Sequence, residues 1–167
     1  INVWKEIPLG TFIKSSFIIS LSATLIVIFI AVPAAYYVAR NDFRGRKGFL
    51  FLVLVTQMFA PTALVIGIFR EIAKLNLANT YLGLILVYAA FNMAFSIWIL
   101  SSFFSSIPQE IEEAAWIDGC SRVSTLVRIV LPLSLPGLAT AFIFTFIAAW
   151  NEFVIALTLT SSPEQEP

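Results

Sequence analysis

The 167-residue chain contains no histidine and only one cysteine. Without histidine there is no Ser-His-Asp triad, no Cys-His pair and no histidine metal site. One cysteine leaves no internal disulfide and no cysteine zinc cluster. Charge is scarce as well, at 12% of residues where a soluble domain carries about 25%. Ten Lys+Arg match ten Asp+Glu with no basic block, which argues against a nucleic-acid partner. The chain opens on Ile1 and shows no signal-peptide layout, so a piece of a longer polypeptide is expected. What is abundant is apolar: 59% of residues are hydrophobic and the mean hydropathy is +0.93. These values describe an integral membrane protein.

The charge-free stretches locate the candidate spans. Residues 15–39 and 48–69 carry no charge, nor do residues 75–109, whose densest apolar part is 82–104. A fourth stretch, residues 136–160, is interrupted once, by Glu152. A bilayer core of about 30 Å takes about 20 helical residues, so each stretch is long enough to cross. The stretches are about twice the length of a barrel strand and do not alternate, which predicts helices. Four spans in an all-α, polytopic membrane fold are therefore expected, over residues 15–160. Residues 1–14, with Trp4, Phe12 and Ile13 among Lys5, Glu6 and Lys14, read as an external, interfacial lead-in. Residues 161–167 read as an external polar tail.

Arg40, Arg44, Arg46 and Lys47 crowd the loop between the first two stretches, whereas residues 70–81 hold only Arg70 and Lys74 beside Glu71. The positive-inside rule puts the first loop in the cytoplasm, and with it the loop between the third and fourth stretches.

That last loop, residues 107–132, carries most of the information. Pro108 suits a first helical turn, and Glu110, Glu112 and Glu113 sit where the helix dipole favours acids. Gly119 follows Asp118 and fits a left-handed helix end. Val123, Leu126, Val127 and Val130 then share one face at helical spacing. Pro132 and Pro136 break the chain as it re-enters the membrane. Two short helices turning at a glycine make a rigid knob suited to a groove on another protein.

Glu113-Ala114-Ala115, Gly119 and the run Ile129-x-Leu131-Pro132 resemble, at every fixed position, the EAA motif of ATP-binding-cassette importer permeases. Ile107-Pro108, Leu133-Ser134-Leu135-Pro136, Gln57-Met58-Phe59-Ala60-Pro61 and Trp150-Asn151-Glu152-Phe153 look like the carbohydrate, maltose-type branch, of the second permease kind. Cys120 departs from the alanine usual there; it reads as a small packed residue, not a reactive thiol. Members of the family usually have six spans, so the first and last are expected to be missing here.

The resemblance implies a permease subunit of an ATP-driven sugar importer in a prokaryotic plasma membrane, a multi-pass protein surrounded by lipid. Its partners would be a second permease, a dimer of ATPase subunits and an extracytoplasmic solute-binding protein. Glu113, Ala114, Ala115, Asp118, Gly119, Ile129, Leu131 and Pro132 would couple it to the ATPase. ATP and magnesium would be used by that partner, with no cofactor bound by this chain and no enzymatic activity of its own. In agreement, Gly45-Arg46-Lys47-Gly48 lacks the glycine spacing and Ser/Thr of a Walker A loop.

Polar groups inside a membrane are costly and therefore informative. Glu152 fits either a sugar-facing acid or a structural hydrogen bond. Tyr88, Asn92 and Ser96 recur every four residues on one helix face, and fit either a solute pathway or helix packing. Gln57 and Asn151 join the candidate pathway, and Pro33 and Pro61 are expected to kink their helices. Ser16, Ser20, Thr24, Ala31, Ala35 and Ala39 read as small-residue faces for close helix packing. The alternatives from other classes are a secondary transporter or channel subunit, or a permease for a polyol, glycerol phosphate or peptide. Ion-coupled carriers place several ionisable groups at the midplane, and this chain offers one.

Overall fold

A computed structural model describes residues 9–59 and 61–160; the expected lead-in around Trp4 and the tail 161–167 lie outside the described residues. Among the described residues the structure is helical throughout, with no strand. Helix α1, Leu9–Arg40, runs 32 residues without interruption, about 48 Å at 1.5 Å per residue. Pro33 lies within it and does not break it. Helix α2 is Arg46–Thr56. A 3-10 turn at Pro61–Leu64 leads into α3, Val65–Lys74. Helix α4, Tyr81–Ser105, is the second long element. The knob consists of α5, Gln109–Ile117, α6, Arg122–Thr125, a π-helical turn at Leu126–Val130 and α7, Leu131–Leu133. Helices α8, Leu135–Asn151, and α9, Val154–Thr160, complete the bundle.

Among the described residues, α1 and α4 alone are continuous helices long and apolar enough to cross a membrane, with a third crossing if the bent pair 122–133 and 135–151 counts as one. The expected span 48–69 is instead two short helices, because helical backbone stops at Thr56 and resumes as a 3-10 turn at Pro61. Pro61 thus marks a full interruption, not a kink. The expected span 136–160 stops at Asn151 and restarts at Val154. The prolines at 132 and 136 do break the chain: the axis turns by 79° at Ser134 between them.

Small residues let α1 lie close against α4 and α8. Ser20 and Thr24, four apart, and Ala31, Ala35 and Ala39, again four apart, are buried, whereas Ser16, four before Ser20, is exposed. In lipid there is no hydrophobic drive between helices, so close backbone approach and van der Waals contact hold them. Ala31, Ala35 and Ala39 pack with Leu100, Phe104, Val130 and Ala141 in one core. Ile19 and Ala23 pack with Val87, Tyr88, Ala149 and Ile155 in a second. Large apolar side chains face outwards all round, Phe29 being 82% exposed, as expected of a surface whose solvent is hydrocarbon or another helix.

Hydrogen bonds sort the loops by end. Arg40 reaches Glu112, and Arg46 reaches Ser105, so the basic loop and the knob share one end of the bundle. Ser15 meets Tyr81, and the Asn79 amide donates to the Leu159 carbonyl, at the other.

Candidate functional site

The two broken stretches face each other across α4. Thr56, Gln57 and Phe59 from the first break, Tyr88, Phe91 and Asn92 from α4, and Ala148, Glu152 and Ile155 around the second line a cavity of about 490 Å³. Each polar group there is held. Gln57 Nε2 donates to the Phe91 carbonyl at 3.3 Å. Asn92 Nδ2 donates back along its own helix to the Tyr88 carbonyl at 2.8 Å. The Tyr88 hydroxyl donates to the backbone carbonyl of Glu152 at 2.7 Å, satisfying an acceptor freed where α8 ends. Glu152 has an extended backbone (φ −80°, ψ 97°), and its Oε1 accepts weakly from the Ile155 amide at 3.4 Å, at the start of α9. The carboxylate therefore stands at a helix break on the cavity wall, not inside a continuous span.

Of the six polar residues singled out for a pathway, four meet at this cavity. Ser96 does not: it is buried and shares a 2.8 Å hydrogen bond with Thr145 of α8, the packing alternative. Asn151 does not either; it is exposed in a separate shallow pocket beside Phe17, Phe146 and Trp150. Ser96 lies two turns along α4 from Tyr88, where that helix face meets Thr145 instead of the cavity. Asn151, next to Glu152, is turned away because the backbone changes there from helical to extended.

The knob turns at Gly119, which has φ +86°. The Cys120 amide donates to the Ala115 carbonyl at 2.9 Å and the Gly119 amide to the Trp116 carbonyl at 3.0 Å. This pair of bonds is the Schellman closure of a helix end. Ser121 then caps α6, its Oγ accepting from the Ser124 amide at 3.2 Å. The Arg122 guanidinium lies 5.2 Å from the centre of the Trp116 ring and ties the two arms together. Glu113, Ala114, Asp118 and Gly119 are exposed, as are Trp116 and Ile117, the latter 87%. Ala115 is buried, Ile129 and Leu131 are half-buried, and Pro132 is exposed. The second arm departs from its expected single apolar face. Val130 is fully buried and Leu126 packs on the core, but Val123 and Val127 are exposed. Residues four apart still share a side, Leu126 with Val130 inwards and Val123 with Val127 outwards, so the arm presents two apolar sides instead of one.

Sequence reasoning missed the residue on which the knob is anchored. Glu112, read only as a dipole acid, is 1% exposed. Arg40 Nε donates to its Oε1 at 2.6 Å and the Tyr36 hydroxyl to its Oε2 at 2.5 Å. The available signal was geometric: Glu112 and Ala115 are three apart, hence on one face of α5, and Arg40 ends a span.

The family described as binding-protein-dependent transport system inner membrane component matches residues 7–165. The sulfoquinovosyl glycerol transport system permease protein SmoH of Agrobacterium fabrum is 38% identical over 162 residues, 97% of this chain and 57% of its own length. The trehalose/maltose transport system permease protein MalG of Thermococcus litoralis is 44% identical over 150 residues, 90% of this chain and 54% of its own. A putative ABC transporter permease protein of Streptomyces antibioticus is 36% identical, covering 99% and 72%. Among solved structures, a bacterial ABC transporter involved in import of the acidic polysaccharide alginate superposes with a TM-score of 0.66. It is 28% identical, over 88% of this chain and 54% of that one. The chain thus spans little more than half the length of most of these relatives.

Proposed function

The chain belongs to the family of binding-protein-dependent transport system inner membrane components, and from that premise we propose that it is a permease subunit of an ATP-driven sugar importer. In this reading the knob is cytoplasmic and docks in an ATPase subunit, while a second permease completes the solute pathway. An extracytoplasmic solute-binding protein delivers the sugar from the opposite side. ATP and magnesium act in the ATPase dimer, and this chain is not itself an enzyme. The membrane is the prokaryotic plasma membrane.

One observation carries the reading: the segment with the EAA spacing, Glu113 to Pro132, forms an ordered and outward-facing knob. Its exposed Ile117, Val123 and Val127 offer apolar area to a groove, and Glu113 offers a charge for a cation in that groove. The cavity supports the sugar half. A hydroxyl-rich solute leaving water needs hydrogen-bond partners, and Gln57, Asn92, Tyr88 and Glu152 line one space. Two of the relatives named above are permeases of a trehalose/maltose and a sulfoquinovosyl glycerol system, which favours sugars or glycosides over peptides.

Uptake by vesicles containing the reconstituted complex tests this directly, with radiolabelled maltose, trehalose and sorbitol as probes. ATP-dependent accumulation of a sugar above sorbitol is expected. Accumulation that follows an imposed ion gradient and ignores ATP would replace the reading with a secondary transporter.

A further inference from the structure

The arm α5 is nine residues long, too short to be stable as a helix without support. Its buried residues are Glu112 and Ala115 alone, and its large apolar side chains, Ile111, Trp116 and Ile117, are exposed. Apolar burial therefore gives the arm only a small hold on the bundle. A polar lock adds a second. Glu112 takes bonds on both carboxylate oxygens, from the Arg40 guanidinium on one and from the Tyr36 hydroxyl on the other. Arg40 Nη2 also donates to the Ile107 carbonyl at 3.1 Å, where the chain enters the arm.

We propose that Tyr36, Arg40 and Glu112 are positioning residues that make the knob and helix α1 one rigid piece, so that displacement of the knob moves α1. The proposal rests on the reading of the knob as the ATPase-docking element. A buried ion pair adds little net stability over apolar side chains of similar volume, so its selective value is geometric. A planar guanidinium on one oxygen and a hydroxyl on the other fix the carboxylate in both distance and orientation. Successive helical residues lie about 100° apart, which turns Glu113 outwards while Glu112 stays locked inside. The end of α1 that carries Tyr36 and Arg40 also carries Ala31, Ala35 and Ala39, packed with Leu100 and Phe104 of α4 and Ala141 of α8. A push on the knob thus passes through Glu112 to α1 and on to the helices that bound the cavity.

The test uses the assembled complex of the full-length chain with its ATPase, partner permease and binding protein, and reads maltose or trehalose uptake per ATP hydrolysed. Tyr36→Phe removes one bond and keeps the ion pair. A double variant, Arg40→Met with Glu112→Met, removes the pair without stranding a buried charge. Both are expected to assemble and hydrolyse ATP. Uptake per ATP is expected to fall about five-fold or more in the double variant, the lower end of ordinary coupling between sites, and less in Tyr36→Phe. A wild-type ratio in the double variant would overturn the link. If the double variant does not assemble, an unchanged ratio in Tyr36→Phe overturns it, leaving these residues a purely structural role. A wild-type complex that takes up neither sugar, or retains no ATPase subunit, sinks the proposed function and the link with it. A coupled wild type with equally coupled variants sinks the link alone.

Discussion

Glu112 and Glu113 are adjacent, chemically identical and placed oppositely, one buried against Arg40 and the other exposed. Composition and dipole arguments treat such neighbours alike; only the angular position on the helix separates them. Glu152 shows a similar duality at one atom set, lining the cavity while its Oε1 accepts from the Ile155 amide. Glu152→Gln keeps an acceptor for that amide and removes the charge. Complex yield is expected to hold while uptake changes several-fold, since charge-assisted bonds are about twice as strong as neutral ones. Glu152→Leu removes the acceptor too and is expected to lower yield as well as uptake. Equal losses of yield and uptake in both variants would assign the residue to structure. Gly119 has open space around the position of a Cβ, so only its φ of +86° resists substitution. Gly119→Ala is expected to cost about 1 kcal/mol of local stability. A loss of ATPase binding well beyond that, measured by co-purification, would show a partner filling the space. Unchanged binding and uptake would place the docking contact elsewhere on the knob.

At the scale of elements, the sequence was most legible where physics is local. The charge-free stretch that became α4, the glycine turn and the two prolines around the 79° bend follow from length, Cβ sterics and missing amides. The broken stretches were not legible, because a run of apolar residues satisfies a hydropathy count whether or not its backbone stays helical. The Gln57 side chain finds its partner on α4, a contact no local pattern encodes, whereas Glu152 accepts from the Ile155 amide three residues on, a local cap at the start of α9. The entry to α4 shows how closely such elements meet. Thr80 caps it, its Oγ1 accepting from the Gly83 amide at 3.1 Å. A Cβ on Gly83 would lie 2.4 Å from the Leu77 carbonyl oxygen, a backbone atom that cannot rotate away. Gly83→Ala is therefore expected to destabilise the fold by about 1–3 kcal/mol, read as reduced yield and a lower melting temperature in detergent. Wild-type behaviour would mean that the 75–80 turn adapts freely.

At the scale of the whole molecule, the loop charges and the hydrogen bonds agree on which loops share an end. Arg40 joins the basic loop to the knob through Glu112 and Arg46 reaches Ser105 at the end of α4, and the 76–81 turn is joined to the end of α9 through Asn79. The positive-inside argument assigns the first of these ends to the cytoplasm, where ATP is. The most direct test is a photoreactive residue placed at Ile117, the most exposed apolar side chain of the knob, in the assembled complex within native membranes. Illumination is expected to join this chain to an ATPase subunit, with the yield of that product reduced by Glu113→Gln. Cross-linking to lipid alone, or to a protein on the extracytoplasmic side, would contradict the docking of this knob in an ATPase.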